Sequence, residues 1–125
     1  MSLGLALSLL DAAADVGGGT FYADGEPFTR QGFVVGGKAP SLVIRLWADG
    51  RELFGPASVE SVAKWIEGNR SRMYGSWLDE GSVHIDAVDV YDDRDQAIEV
   101  GRLRGELAIY DMAAGADIRL DGGVS

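Results

Sequence analysis

Cysteine is absent from this chain. That absence removes disulfides, thiolate nucleophiles, iron–sulfur clusters and cysteine-based zinc sites together, and it suits a reducing compartment. Histidine occurs once, as His84, so imidazole chemistry would rest on a single side chain. Long apolar runs are missing too. In the opening segment MSLGLALSLLDAAADVGGG the apolar run stops at Asp11, well below the ~20 residues that a membrane span needs, and no Lys or Arg precedes it, as one would in a secretory signal. The expectation is a cytoplasmic chain, neither secreted nor membrane-bound. Proline is scarce, with three residues against eighteen glycines. Glycine groups at 17–19, 36–37 and 122–123 point to short elements joined by tight turns.

What is present describes one globular domain spanning residues 1–125. The 125 residues carry 46% apolar and 25% charged side chains, close to globular averages and enough for a single core. Cations become sparse toward the C-terminal part. Residues 1–78 hold eight acids and seven bases, net -1, whereas residues 79–125 hold twelve acids and four bases, net -8. A surface so charged repels nucleic acids and anionic membranes and attracts basic protein surfaces.

Leu3, Leu7, Leu10 and Ala14 recur at helical spacing, so residues 1–16 read as an apolar N-terminal helix ended by Gly17 to Gly19, with residues 17–120 as the core. Asp24-Gly25 marks a turn. GFVVGG and SLVIRLW read as an antiparallel hairpin, and Asp49-Gly50 as a further turn. A helix follows Gly55-Pro56, with Ser58 able to cap it and Val59, Val62, Ala63 and Ile66 on one stripe. YGSWLDEGSVHIDAVDVY gives two extended segments turning at Asp79-Glu80-Gly81. Val83, Ile85 and Ala87 share one strand face while Val88 and Val90 fall on the other, and a bulge at Ala87-Val88 would restore a single buried face. A helix from Ala97 to Leu103 and strands at LAIYDM and DIRL complete the pattern. The fold class is α+β: a mixed, mainly antiparallel sheet of about five strands, two helices on one face, plus the N-terminal helix.

Three patterns mimic catalytic or metal chemistry. Five aspartates lie within ten residues, but Asp93 with Gln96 has capping-box spacing and Asp95 complements a helix dipole. A calcium loop counted from Asp89 would need glycine at its sixth position, where Arg94 stands. Gly32 to Lys38 copies the start of a phosphate-binding loop, yet Ala39 replaces the metal-holding hydroxyl and Phe33-Val34-Val35 read as strand. His84 and Asp86 share a strand face as a base steered by a carboxylate would, but no nucleophile elbow accompanies them. No catalytic residue, cofactor or metal ligand is therefore assigned.

The segments GGGTF, GFVVGG, YGSWLDEGSVHIDAVDV and DDRDQAIEVGRLRGELAIYDM, followed by DIRL, together resemble a family of small proteins encoded by actinobacteria, their phages and mobile elements. The matching positions are Gly18-Gly19-Thr20, Gly32-Phe33, Gly75-Ser76-Trp77, Asp86, Ala97 and Ala108-Ile109-Tyr110-Asp111, over roughly residues 17 to 120. The resemblance implies a phage or mobile-element setting and no established catalysis. Glu106-Leu107 departs from it, standing where the family often carries glutamine or another polar residue.

The functional expectation is a small, acidic, non-enzymatic module that binds a protein partner with a basic surface. Such an accessory protein would inhibit a host nucleic-acid-handling or defence system, CRISPR or restriction. Its partner-binding residues are expected to be Asp86, Asp89, Asp92, Asp93, Asp95 and Glu99, neighboured by Asp79, Glu80, Asp117 and Asp121. Two alternatives stand beside it. One is a small-molecule or nucleotide site around Gly17 to Thr20, Trp77, His84 and Asp111. The other is a structural or phage-particle role, with a homo-oligomer formed through Leu3, Leu7 and Leu10.

Overall fold

The computed structural model describes residues 2–45, 47–48, 51–52 and 56–120. The expected turn at Asp49-Gly50, Gly55 ahead of the second helix, Asp121 and the glycine pair at 122–123 lie outside the described residues. In chain order the elements are α1 (Leu3–Val16), β1 (Gly18–Tyr22), β2 (Phe33–Val35), β3 (Leu42–Arg45), β4 (Trp47–Ala48), β5 (Arg51–Glu52), α2 (Pro56–Gly68), β6 (Met73–Asp79), β7 (Ser82–Tyr91), α3 (Arg94–Leu103), β8 (Ala108–Asp111) and β9 (Ala116–Arg119).

The α+β class is as expected, with the three helices packed on one face. The sheet is larger and more uniform than read from the sequence. It has seven strands in the order β1-β6-β7-β2-β8-β9, with β3 also on β7, and every pairing is antiparallel. One added strand is β1. Only Gly17 ends α1, in the left-handed conformation at φ 89°, while Gly18 and Gly19 already belong to the strand. Glycine is needed at position 18 because a Cβ there would lie 2.3 Å from the Ser76 carbonyl oxygen.

The expected hairpin of β2 with β3 does not form. Both strands pair with the same edge of β7, β2 at Asp89–Tyr91 and β3 at Ser82–Ile85, so they lie end to end. The connecting residues 36–41 run along that edge and do not fold back. The Lys38 amide donates to the Ala87 carbonyl between the two paired stretches, at 3.4 Å.

The bulge expected at Ala87-Val88 is absent, since β6 and β7 keep continuous register from Met73↔Val88 to Asp79↔Ser82. The apolar phase changes because each end of β7 is covered on a different face. On the helical face, Val83, Ile85, Ala87 and Tyr74 join Leu5, Ala6, Leu9, Leu10 and Ala13 of α1 and Val62, Ala63 and Ile66 of α2. On the opposite face Val88 packs with Val34, Met73 and Phe28, the last supplied by the loop between β1 and β2. A third cluster, Val35, Ala97, Ile109 and Leu120, seats α3 on β2 and β8. Each large aliphatic side chain so buried is worth roughly 1.5–3 kcal/mol.

Local chemistry sets the helix ends. Asp93 caps α3, its Oδ1 accepting from the Asp95 amide at 2.8 Å and the Gln96 amide at 3.4 Å. Pro56 opens α2, so Ser58 lies inside the first turn and not at the cap position assigned to it. Ser76, buried in β6, donates its hydroxyl to the Leu9 carbonyl at 2.7 Å and ties α1 to the sheet. No described helix is long and apolar enough to cross a membrane.

Candidate functional site

Directly opposed residues of an antiparallel pair share a face, and alternate residues along a strand do so as well. The registers therefore define cross-strand rows on the face that carries no helix. Asp79, Ser82 and Arg45 make the first row, and Gly18, Trp77, His84 and Val43 the second. Thr20, Gly75 and Asp86 make the third, and Tyr22, Met73 and Val88 the fourth. Phe28 closes over the fourth row, edge-on to Tyr22 at 5.8 Å. The second row stands uncovered among the described residues: Trp77 is 46% exposed and Val43 52%. The Trp77 and His84 rings are stacked, centroids 4.2 Å apart at an interplanar angle of 16°.

Beside these rows lies a polar notch of about 420 Å³ lined by Gly37, Lys38, Ala39, Pro40, Ser41, Arg104 and Glu106. It exists because β2 and β3 leave the middle of the β7 edge to the 36–41 connection. Asp89 is held there by Arg104 Nη2 at 2.6 Å and Lys38 Nζ at 3.4 Å. Burial pushes the Asp89 carboxyl up, but the Arg104 hydrogen bond and the Lys38 charge outweigh it and hold the group below the ordinary carboxylate range. Arg104 also donates to the Val35 and Gly36 carbonyls at 3.4 and 3.2 Å, so it fastens α3 to the end of β2. Asp86 accepts the Ser41 hydroxyl. Glu106 is raised, chiefly by burial and then by the neighbouring Asp86 charge, and Arg104 offsets only part of this. Both carboxylates crowd one point: a Cβ on Gly36 would lie 2.7 Å from Glu106 Oε1 and 3.5 Å from Asp86 Oδ2. Neither forms a salt bridge among the described residues.

The six expected partner-binding residues do not form one surface. Asp86 and Asp89 are engaged at the notch, and Asp92, Asp93, Asp95 and Glu99 stand exposed around α3, where Asp93 serves as the helix cap and Arg94 and Arg102 lie among them. Of the alternative small-ligand set, β1 brings Gly18 and Thr20 beside Trp77 and His84. Asp111 lies on β8, where its Oδ1 closes a turn by accepting from the Ala113 and Ala114 amides at 3.0 and 3.3 Å. The self-association set also divides: Leu10 is fully buried in the core, which corrects its assignment to an interface, whereas Leu3 and Leu7 are 43% and 44% exposed. The Ser41 hydroxyl meets Asp86 and not His84, so histidine does not stand between serine and aspartate as a hydrolytic relay requires. Gly32 to Lys38 contains the strand β2, which removes the phosphate-loop likeness.

The placement of His84 and Asp86 on one strand face is legible in the sequence, whereas the exposed stack of Trp77 on His84 depends on the β6–β7 register. The signal for its exposure was the glycine at position 75, two residues along the same face. A scan of protein-family models, a search of curated proteins and a search of solved structures return no match to this chain.

Proposed function

We propose that this protein is a non-enzymatic module that binds a basic protein partner, and that the contact lies on the helix-free face of the large sheet. The observation that carries this reading is the Trp77–His84 stack left uncovered in the second row, with Val43 beside it. A large aromatic surface held rigidly by two paired strands costs little order on binding, which is why tryptophan dominates interface energetics. The net charge of -9, with Asp79 and Asp86 flanking the stack along β6 and β7, supplies attraction for a basic partner. The exposed acids of α3 lie outside these rows and add to the long-range field only. The resemblance to phage and mobile-element proteins supports a host nucleic-acid-handling or defence protein as the target.

The test is affinity capture from host lysate with three baits: the native chain, Trp77→Ala and the triple variant Asp92→Asn/Asp95→Asn/Glu99→Gln. The expected result is a basic protein released by salt, retained by the native and triple-variant baits and lost with Trp77→Ala. Retention by Trp77→Ala with loss in the triple variant would move the contact to α3 and overturn the reading.

A further inference from the structure

Resting on that reading, we infer that the partner's anchor is an arginine, its guanidinium laid against the open side of the Trp77 indole and directed at Asp86. His84 covers one face of the indole. On the other side β1 presents Gly18, which carries no side chain and lies close against the β6 backbone, and the next residue of β6 on this face is Gly75, where a side-chain position is vacant. From the point where a Gly75 side chain would begin, the protein atoms within reach are Val88 Cγ1 at 3.3 Å and the Gly19 carbonyl oxygen at 3.7 Å. The vacancy lies between the indole, two residues along β6, and Thr20 on β1 and Asp86 on β7, both paired across from Gly75, which leaves Trp77 and Asp86 as diagonal neighbours. Diagonal cross-strand neighbours are roughly 7–8 Å apart, a span that the stem and head of one arginine bridge.

The chemistry selects the cation. Asp86 and Glu106 face the same point beside Gly36 and form no ion pair among the described residues, where Arg104 and Lys38 are directed to Asp89. Asp86 thus stands across from Gly75 with its carboxyl turned toward Ser41 at the β7 edge, and the indole forms the other wall of the vacancy. A nucleobase would stack equally well but would bring phosphates into this field. A guanidinium stacks on the indole, meets a carboxylate with a planar fork and loses little hydration, whereas an ammonium is a compact, strongly hydrated point charge.

The experiment titrates the ¹⁵N-labelled protein with two synthetic twelve-residue Gly/Ser peptides, one carrying three arginines and the other three lysines at the same positions, and with a single-stranded oligonucleotide. The arginine peptide is expected to shift the Trp77 indole N–H and the His84 and Gly75 amides, and to bind roughly five- to tenfold more tightly than the lysine peptide. Trp77→Leu and Asp86→Asn should each reduce that affinity by a similar factor, while Asp95→Asn, which removes the same charge from α3, leaves it unchanged. Asp86→Asn keeps an acceptor for Ser41, so the fold is preserved, and unperturbed amide shifts outside the rows verify this for both variants. Equal binding of the two peptides with Trp77 dependence intact overturns the arginine assignment and leaves the sheet-face reading standing. Shifts confined to α3, or affinity indifferent to Trp77→Leu, overturn both. Binding of the oligonucleotide at these residues, or of neither peptide, overturns the arginine anchor, and the three-bait capture then decides the wider reading alone.

Discussion

At the scale of single residues, two acidic side chains sit where the fold works against them. Glu80 occupies the first central position of the two-residue β6–β7 turn at φ 49°, followed by Gly81 at φ 81°. Both central residues of such a turn need positive φ, a conformation that suits asparagine and glycine and costs other L-residues roughly 1–2 kcal/mol. Glu80→Asn is therefore expected to raise stability by about 1 kcal/mol and the melting temperature by several degrees, measured by thermal denaturation. Glu106 is the second. Its carboxyl is raised in the folded state, so its contribution to stability is fully present below the unfolded value and is lost as pH rises through the folded one. Asp89 has the opposite sign: held low by Arg104 and Lys38, it contributes above its unfolded value and loses that contribution as pH falls through the folded one. Glu106→Gln should thus stabilise the protein at pH 7 and bring no gain at pH 4, and Asp89→Asn should destabilise it at pH 7 but little at pH 2. Denaturant midpoints at these pH values check both.

At the scale of elements, α3 shows how local preference yields to packing. Its cap is legible from Asp93, whose carboxylate accepts from the Asp95 and Gln96 amides in the structure. Gly101 in the same helix is not explained locally, since alanine would favour the helix by about 1 kcal/mol. A Cβ at that position would lie 2.7 Å from Leu120 Cδ1 and 2.9 Å from Ile109 Cγ2, both deeply buried. Gly101→Ala is expected to destabilise by about 1–3 kcal/mol, read from equilibrium unfolding, because overpacking outweighs propensity. The β2 and β3 pair shows the same override. Two β-branched runs separated by a glycine pair suit a hairpin, yet each finds a longer-range partner in β7. Local turn signals cannot weigh that competition, because β7 lies some forty residues downstream of β3.

At the scale of the whole molecule, net charge is both a steering device and a burden. A chain at -9 repels itself when compact, so added salt at pH 7 should raise its melting temperature between low ionic strength and about 0.1 M, where screening acts over ~10 Å. The same salt should weaken binding to a basic partner. Opposite salt responses of stability and affinity, measured on one preparation, separate self-repulsion from partner attraction.

The sequence by itself determined the class of fold, the positions of three helices and most strands, the cap of α3 and the absence of thiol chemistry. Those properties follow from residue types and from periodicities contained within one turn or one strand. Only the tertiary structure decided which aspartates remain exposed, that Leu10 faces inward, that β7 buries opposite faces at its two ends, and that Trp77 stands exposed on the helix-free face beside His84. The reason is physical: pairing register and edge choice join residues far apart in the chain, and a one-residue shift would exchange the two faces of the sheet.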